Sequence, residues 1–248
     1  LNYDPEKIVL LPLYPQYSST TTGSSVEDWN KTAAKLGLHK PTFIVGCYAT
    51  NPHFISAHAK LIKDILQPSV PNKSIKVLFS AHGLPEKIIA KGDPYQSQVE
   101  RTAKAIVMEL AWPHLDWEVC YQSRVGPLSW IGPSTEELIA EAGVSGKSLV
   151  VVPIAFVSEH SETLVELDIE YADLAQRAGV PSYKRVPTLG ISEDFVLALE
   201  NMVKSAGSCL RKRPVQAVRR CPPELRLCCQ NLSNQYSSHP IVWSGNER

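Results

Sequence analysis

Short runs of β-branched and apolar residues alternate along this chain with longer stretches in which apolar positions recur every three or four residues. Six runs predict strands: 8–13, 42–47, 75–79, 117–121, 149–153 and 183–187. Leu149-Val150-Val151-Val152 is continuous rather than alternating, the pattern of a strand buried on both faces. Between the strands, Val99, Ala103, Ile106, Val107 and Leu110 form one helical stripe, with Asp93-Pro94 as its N-cap and first residue. Ser134 and Glu137 have the spacing of a capping box, and Ile55, Ala59, Ile62 and Leu66 mark another helix that Pro68 stops. The alternation predicts an α/β fold, a doubly wound parallel sheet flanked by helices, over residues 26–206. Beyond Ala206 the periodicity ends, and 207–248, rich in Pro, Ser, Arg and Cys, reads as an irregular Cys-rich tail. No internal repeat occurs at the periods of solenoids.

At 248 residues and 44% hydrophobic content the chain can bury one substantial core or two small ones. Its 25 basic and 25 acidic side chains balance, which argues against a nucleic-acid partner. The balance is uneven locally. Residues 159–173 hold six acids and no Lys or Arg, whereas 204–226 hold seven basic residues against Glu224 alone. The longest apolar runs are too short to cross a bilayer, and no charged-then-apolar leader opens the chain. Of six cysteines, Cys47 and Cys120 lie in the body, and Cys209, Cys221, Cys228 and Cys229 crowd the tail. In a chain of this size without a leader, thiols or metal ligation are expected over disulfides.

Doubly wound folds bind ligands beyond the carboxyl ends of their strands, and three unusual segments fall there. Ser80-Ala81-His82-Gly83-Leu84-Pro85 follows the strand 75–79, and a His at such an exit can take protons near neutral pH. An ordinary loop His bonded to backbone is the alternative. After strand 149–153, Glu162, Glu166 and Glu170 stand four apart with Glu159 one turn earlier, so four carboxylates share one predicted helix face. Acids in a first turn complement the helix dipole, which covers Glu159 and Glu162 but not Glu166 and Glu170. A carboxylate row beside a His suits a divalent cation. The third segment, Gln122 to Pro133, brackets Trp130 between two Gly-Pro pairs, as buried core or as a wall for a flat aromatic ligand.

Together these segments resemble the ferrochelatase family in order and spacing. The resemblance rests on Leu13-Tyr14-Pro15-Gln16-Tyr17-Ser18 with Thr22-Gly23-Ser24-Ser25, on Ser80 to Pro85, on Gly92-Asp93-Pro94-Tyr95, on the Gln122 loop and on Pro153 to Tyr171, and it covers 7–205. It implies a cleft between two similar α/β domains that grips protoporphyrin IX, with ferrous iron as the second substrate. His82 matches the family's acceptor of pyrrole protons and Glu162 the carboxylate facing it. Glu166, Glu170 and Asp168 match an inner acidic ridge proposed to carry metal or protons, so the metal set becomes His82, Glu162, Glu166, Glu170 and Asp168. Tyr14, Tyr95, Trp130 and Phe156 match porphyrin-pocket positions. The chemistry agrees: a free-base porphyrin must lose two N–H protons before a dication enters, which needs a base, a cation route and a rigid clamp.

Some members of the family hold a [2Fe–2S] cluster on C-terminal cysteines and one from the body, and the resemblance implies Cys47, Cys221, Cys228 and Cys229 here. Animal members carry a Cys where this chain has Ser19, so their arrangement is excluded, and the adjacent pair Cys228-Cys229 is awkward for one cluster. Cys209 is the substitute. Family members also carry a further stretch before Leu13. Residues 1–25 are then expected to end a missing first α/β domain, 26–206 to form the second, and the chain alone to have little activity. The implied setting is bacterial cytoplasm, with peripheral membrane contact through the missing part, a mitochondrial matrix as the other option, and a homodimer as the oligomer. The rival readings are a cobalt chelatase, an iron-binding or iron–sulfur sensing module without turnover, and an inactive fragment.

Overall fold

A computed structural model of the chain describes residues 3–66, 74–208, 221–229 and 241–242. In order, the elements are β1 (Ile8–Leu10), α1 (Ser24–Lys35), β2 (Thr42–Val45), α2 (Pro52–Ile65), β3 (Ile75–His82), α3 (Glu86–Ala90), α4 (Tyr95–Leu110), β4 (Asp116–Gln122), α5 (Thr135–Val144), β5 (Ser148–Pro153), α6 (Tyr171–Arg177), β6 (Tyr183–Arg185), α7 (Glu193–Ser208) and β7 (Ile241–Val242). Two π-helices, Ser19–Gly23 and Glu162–Glu170, run directly into α1 and α6. All pairings between these strands are parallel.

Four strands form the main sheet in the order β4-β3-β5-β6. Its two inner strands show why the fold is doubly wound. Val77, Phe79, Ala81, Val150 and Val152 point into one core with Phe54, Ile62, Val99, Ile106, Phe195 and Met202 of α2, α4 and α7. The intervening Leu78, Leu149 and Val151 point into a second core with Leu138, Ile139, Leu167, Tyr171 and Ala175 of α5, the second π-helix and α6. A strand whose two faces are both covered has no polar positions to offer, which is why β5 is an unbroken apolar run. Each such side chain contributes about 1.5–3 kcal/mol by leaving water.

The predicted caps are present with one shift. Ser134 and Glu137 form the capping box of α5. Asp93 accepts the Tyr95 N–H at 3.0 Å, but α4 begins at Tyr95, one residue later than the Asp-Pro pair suggests. Residues 8–10 and 42–45 leave the main sheet and form a three-stranded sheet, β1-β2-β7, with β7 from the tail. Pro68 and Cys209 lie outside the described residues.

In the main sheet, the chain leaves β3 toward β4 on one side, while β5 on the other side leads to β6. The topological switch therefore lies between β3 and β5, and the crevice beyond their carboxyl ends is where a ligand is expected. His82 ends β3, and the loop after Pro153 leads into the second π-helix.

Candidate functional site

A cavity of about 660 Å³ opens at this switch point. Its lining includes Leu13, Tyr14, Gln16 and Ser18 from the segment after β1, His82, Leu84 and Tyr95 from the β3 side, and Phe156, His160 and Glu162 from the β5 side. Of the expected porphyrin residues, Tyr14, Tyr95 and Phe156 therefore border it. Trp130 does not. Its backbone bridges Pro85 and its ring stands 3.4 Å from where a Cβ on Gly83 would be, so it fills the space behind the His82 loop. A Cβ at position 83 would press on the Arg124 side chain and the Gln122 carbonyl, each 3.0 Å away.

His82 Nδ1 lies 2.7 Å from Glu162 Oε2. This hydrogen bond raises the His82 pKa above its usual 6.5, against the opposing effect of burial, and the charges of Glu162 and Glu166 add to the rise. The same bond holds the Glu162 carboxyl below its usual range, helped by His82 charge, His160 and Ser123 and opposed by burial. A neutral His82 whose Nδ1–H donates a hydrogen bond to the Glu162 carboxylate keeps a lone pair on Nε2, which makes the ring a base. Tyr95 donates its hydroxyl to the His82 carbonyl at 3.0 Å and fixes the end of β3. His160 stacks edge-on against Phe156 and accepts the Glu162 N–H on Nδ1 at 3.1 Å, so it orients the start of the π-helix.

Glu166 sits behind Glu162 in a dense set of donors. The Ser123 N–H reaches its Oε1 at 2.7 Å, and the Ser123 hydroxyl and Gln122 Nε2 reach its Oε2 at 2.6 and 2.8 Å. Ser123 also approaches Glu162 Oε2 at 3.2 Å, so one hydroxyl links both carboxylates. It does so from a left-handed backbone conformation, φ 59°, which costs a non-glycine residue about 1–2 kcal/mol. Tyr171 extends the network, its hydroxyl 3.1 Å from Glu166 Oε1 and 2.9 Å from Glu136 Oε1. Burial and the two neighbouring carboxylates push the Tyr171 pKa upward, so the phenol keeps its proton. Sequence reasoning missed Glu136 altogether. An acid in the first turn of a helix looks like a complement to the dipole, and nothing local signals its partner.

The carboxylate row differs from the expected one. The π-helix begins at Glu162, and Glu159 precedes it, bonded to Arg185 Nη1 at 2.9 Å and to the Thr188 N–H at 3.0 Å. Asp168 is held by the same guanidinium through bonds of 2.6 and 2.7 Å. Arg185, from β6, thus supplies the cation that the acidic segment itself lacks, and Glu159 and Asp168 are engaged there instead of along the ridge. Glu170 is exposed. The carboxylates that meet His82 and its neighbours are Glu162 and Glu166.

A second group of residues lies on the other side of the segment after β1. Cys221, Cys228 and Cys229 are buried together with Tyr17, and Cys47 packs against them. Contacts run from Cys221 to Cys228, and from Cys229 to both Cys228 and Cys47, and together with burial they push the Cys221 and Cys229 thiols up. The adjacent pair Cys228-Cys229 thus shares one pocket. Among the described residues no group of three or more His, Cys, Asp or Glu has the geometry to hold a metal ion, and side-chain hydrogen bonds link Cys221 with Cys228 and Cys229 with Cys228 and Cys47. Where a Cys would follow Ser18 in animal members of the resembling family, Ser19 gives its N–H and hydroxyl to Asp93 at 2.7 and 2.6 Å.

Comparison with known proteins gives this geometry a context. A family model described as Ferrochelatase matches residues 1–206. The ferrochelatase of Pelagibacter ubique is 53% identical over 202 residues, which are 82% of this chain and 58% of that protein. The ferrochelatase of Caulobacter vibrioides is 52% identical over 204 residues, with the same coverage. The chain spans somewhat more than half the length of these curated relatives. Among solved structures, SirB from Bacillus subtilis with Fe3+ superposes with a TM-score of 0.58 at 17% identity, covering 83% of this chain and 73% of SirB. That likeness shows the fold, parallel strands with helices on both faces.

Proposed function

Because this chain belongs to the ferrochelatase family, we propose that the protein carrying it is a lyase of haem biosynthesis that inserts Fe2+ into protoporphyrin IX to give protohaem. The observation that carries the proposal is the 2.7 Å contact between His82 and Glu162 on the wall of a cavity bordered by Tyr14, Tyr95 and Phe156. The cavity's volume is within the range of small-molecule sites, and aromatic walls suit a flat macrocycle.

In this reading Nε2 of neutral His82 accepts a pyrrole N–H proton, and Glu162 stabilises the imidazolium that forms. The imidazolium then releases the Nε2 proton to water in the open cleft while Nδ1–H stays bonded to Glu162, which frees the Nε2 lone pair for the second N–H. Two protons lost balance the dication gained, so the ring nitrogens receive Fe2+ with no net change of charge. Glu166, held by Ser123, Gln122 and Tyr171, adds negative charge that favours a cation at this end of the cleft. Glu170, exposed on the same helix, is the outer approach for metal.

Cys47, Cys221, Cys228 and Cys229 are proposed to hold a [2Fe–2S] cluster. What speaks for it is that Cys221, Cys228 and Cys229 share one buried pocket with Cys47 packed against them, four cysteines being the number such a cluster takes. As they stand they form no metal-holding group, so their side chains would have to turn toward a common centre. When bound it would supply a one-electron centre and cross-link the tail to the body. The relatives named above are bacterial, and a bacterial cytoplasmic setting, peripheral membrane contact and a homodimer complete the proposal. Among the described residues no helix is long and apolar enough to cross a membrane.

The test is insertion of Fe2+ or Zn2+ into protoporphyrin, followed by absorbance, in the full-length protein and its His82→Ala and Glu162→Ala variants. Turnover that collapses in both supports the assignment. Iron binding without porphyrin turnover in the unaltered protein would replace it with an iron-binding module.

A further inference from the structure

The two buried groups of this molecule, the cavity at the switch point and the thiol pocket, are separated by one chain segment, Leu13 to Ser18. Leu13, Tyr14, Gln16 and Ser18 border the cavity, while Tyr17 faces the opposite way and packs on Cys221, Cys228 and Cys229. Gln16 and Ser18 flank Tyr17 and turn their side chains toward the cavity while Tyr17 turns toward the cysteines.

One residue joins the thiol pocket to the backbone of that segment. Gln98, on α4 and 1% exposed, accepts the Tyr17 N–H on Oε1 at 2.8 Å and donates Nε2 to Cys221 Sγ at 3.4 Å. The amide can be oriented in one way only. A backbone N–H must meet an acceptor, so the oxygen faces Tyr17 and the NH2 is left for the sulfur. One turn further along α4, the Thr102 hydroxyl accepts from Gln16 Nε2 at 3.0 Å, and Gln16 also donates to the Ile154 carbonyl at 3.1 Å. One turn back, Tyr95 holds the His82 carbonyl. A single helix face therefore carries the sulfur contact, the cavity wall and the end of the strand that bears the base.

We infer that Gln98 is a positioning residue that ties the sulfur of Cys221 to the wall of the porphyrin cavity, so that whatever fixes Cys221 also fixes the wall. Buried, with its side-chain oxygen and NH2 both in use, the side chain cannot release one partner without leaving the other misdirected. Thiols that are ordered, by a bound cluster or by their own hydrogen bonds, hold Gln98, and Gln98 holds Tyr17 and with it Gln16 and Ser18. This inference rests on the porphyrin reading of the cavity. It does not require the thiol pocket to contain iron.

The experiment is a double-mutant cycle on protoporphyrin IX affinity, read by porphyrin fluorescence, in the full-length protein. Gln98→Met keeps the length and burial of the side chain without either hydrogen bond, and Cys221→Ala removes the sulfur. Cys221→Ala is expected to weaken binding roughly fivefold, about one hydrogen bond's worth, Gln98→Met by more because it also loses the Tyr17 bond, and the double variant no more than Gln98→Met alone. Thermal unfolding of each variant identifies one that has lost its fold, in which case Gln98→Glu, which keeps the acceptor for Tyr17 and loses the donor to sulfur, replaces it. Additive losses, or a Cys221→Ala protein that binds as the parent does, would overturn the inference. Absence of porphyrin binding in the unaltered protein would overturn the function itself and the inference with it. Iron and sulfide content, measured on the same samples, decides separately whether a cluster occupies the thiols.

Discussion

Nδ1 of His82 and Oε2 of Glu162 stand 2.7 Å apart although 80 residues separate them in the chain. In the proposed reaction the pair ties catalysis to pH with a definite sign. The base assigned to His82 would act only when neutral, and Glu162 raises its pKa above 6.5. Metal insertion is therefore expected to rise with pH through that raised value. Replacing Glu162 by Gln removes the largest cause of the rise, so the midpoint of the rate profile moves down even as the maximal rate falls. Stability runs the other way. The His82 contribution is full below 6.5 and is lost as pH climbs through the raised value, whereas that of Glu162 is full above 4.5 and is lost as pH falls through its lowered value. A rate profile of the Glu162→Gln variant that keeps the parent's midpoint would refute this coupling.

Ser123 separates hydrogen bonding from strain. Ser123→Ala loses the hydroxyl that links Glu162 and Glu166 but keeps the left-handed backbone, and metal affinity or turnover is expected to fall about 10–100-fold. Ser123→Gly loses the same hydroxyl without that strain. It should match the Ala variant in turnover while exceeding it in stability by about 1 kcal/mol. Denaturant midpoints and metal titrations of the two proteins check both halves.

Asp168 and Glu166 should behave as different kinds of residue. Asp168→Ala takes a partner from Arg185, so unfolding should become easier by about 1–3 kcal/mol while turnover changes less than about threefold. Glu166→Ala, next to the proposed reacting pair, should lower turnover well beyond that. Equal catalytic losses in the two variants would return Asp168 to the ridge.

Gly92 probes how the tail is seated. Its φ is 92°, its carbonyl accepts the Leu227 N–H at 3.0 Å, and a Cβ there would stand 2.8 Å from the Arg226 nitrogen. Gly92→Ala is expected to cost about 1–3 kcal/mol and to expose residues 221–229. Faster labelling of Cys221, Cys228 and Cys229 by a thiol reagent in the folded variant is the readout.

Much of this was legible because it is local. The run Leu149 to Val152 announced a strand covered on both faces, and Val99, Ala103 and Ile106 are fully buried on α4 as their spacing indicated. His82 and Glu162 stood out because one ends a strand of the main sheet and the other follows the next strand along. What escaped reading depends on partners distant in sequence. Arg185 looks like a charge in a short strand, and only the fold brings Glu159 and Asp168 to it. Glu136 meets Tyr171 across two helices that pack on the same sheet face. The Glu162–Glu170 helix looked like an α-helix because apolar spacing does not distinguish an i→i+4 ladder from an i→i+5 one.

That wide helix has a consequence for how the protein can change. An i→i+5 ladder accommodates one more residue per hydrogen-bonded ring than the i→i+4 form, and the regular form is the more common. Loss of one codon between Glu162 and Glu166 would let the segment relax into an ordinary α-helix, which is a gain in backbone regularity. It would also rotate Glu166 away from Ser123 and Gln122 relative to Glu162. Selection for robustness and selection for chemistry thus pull on this stretch in opposite directions, and its length, more than the identity of its exposed residues, is what must be preserved.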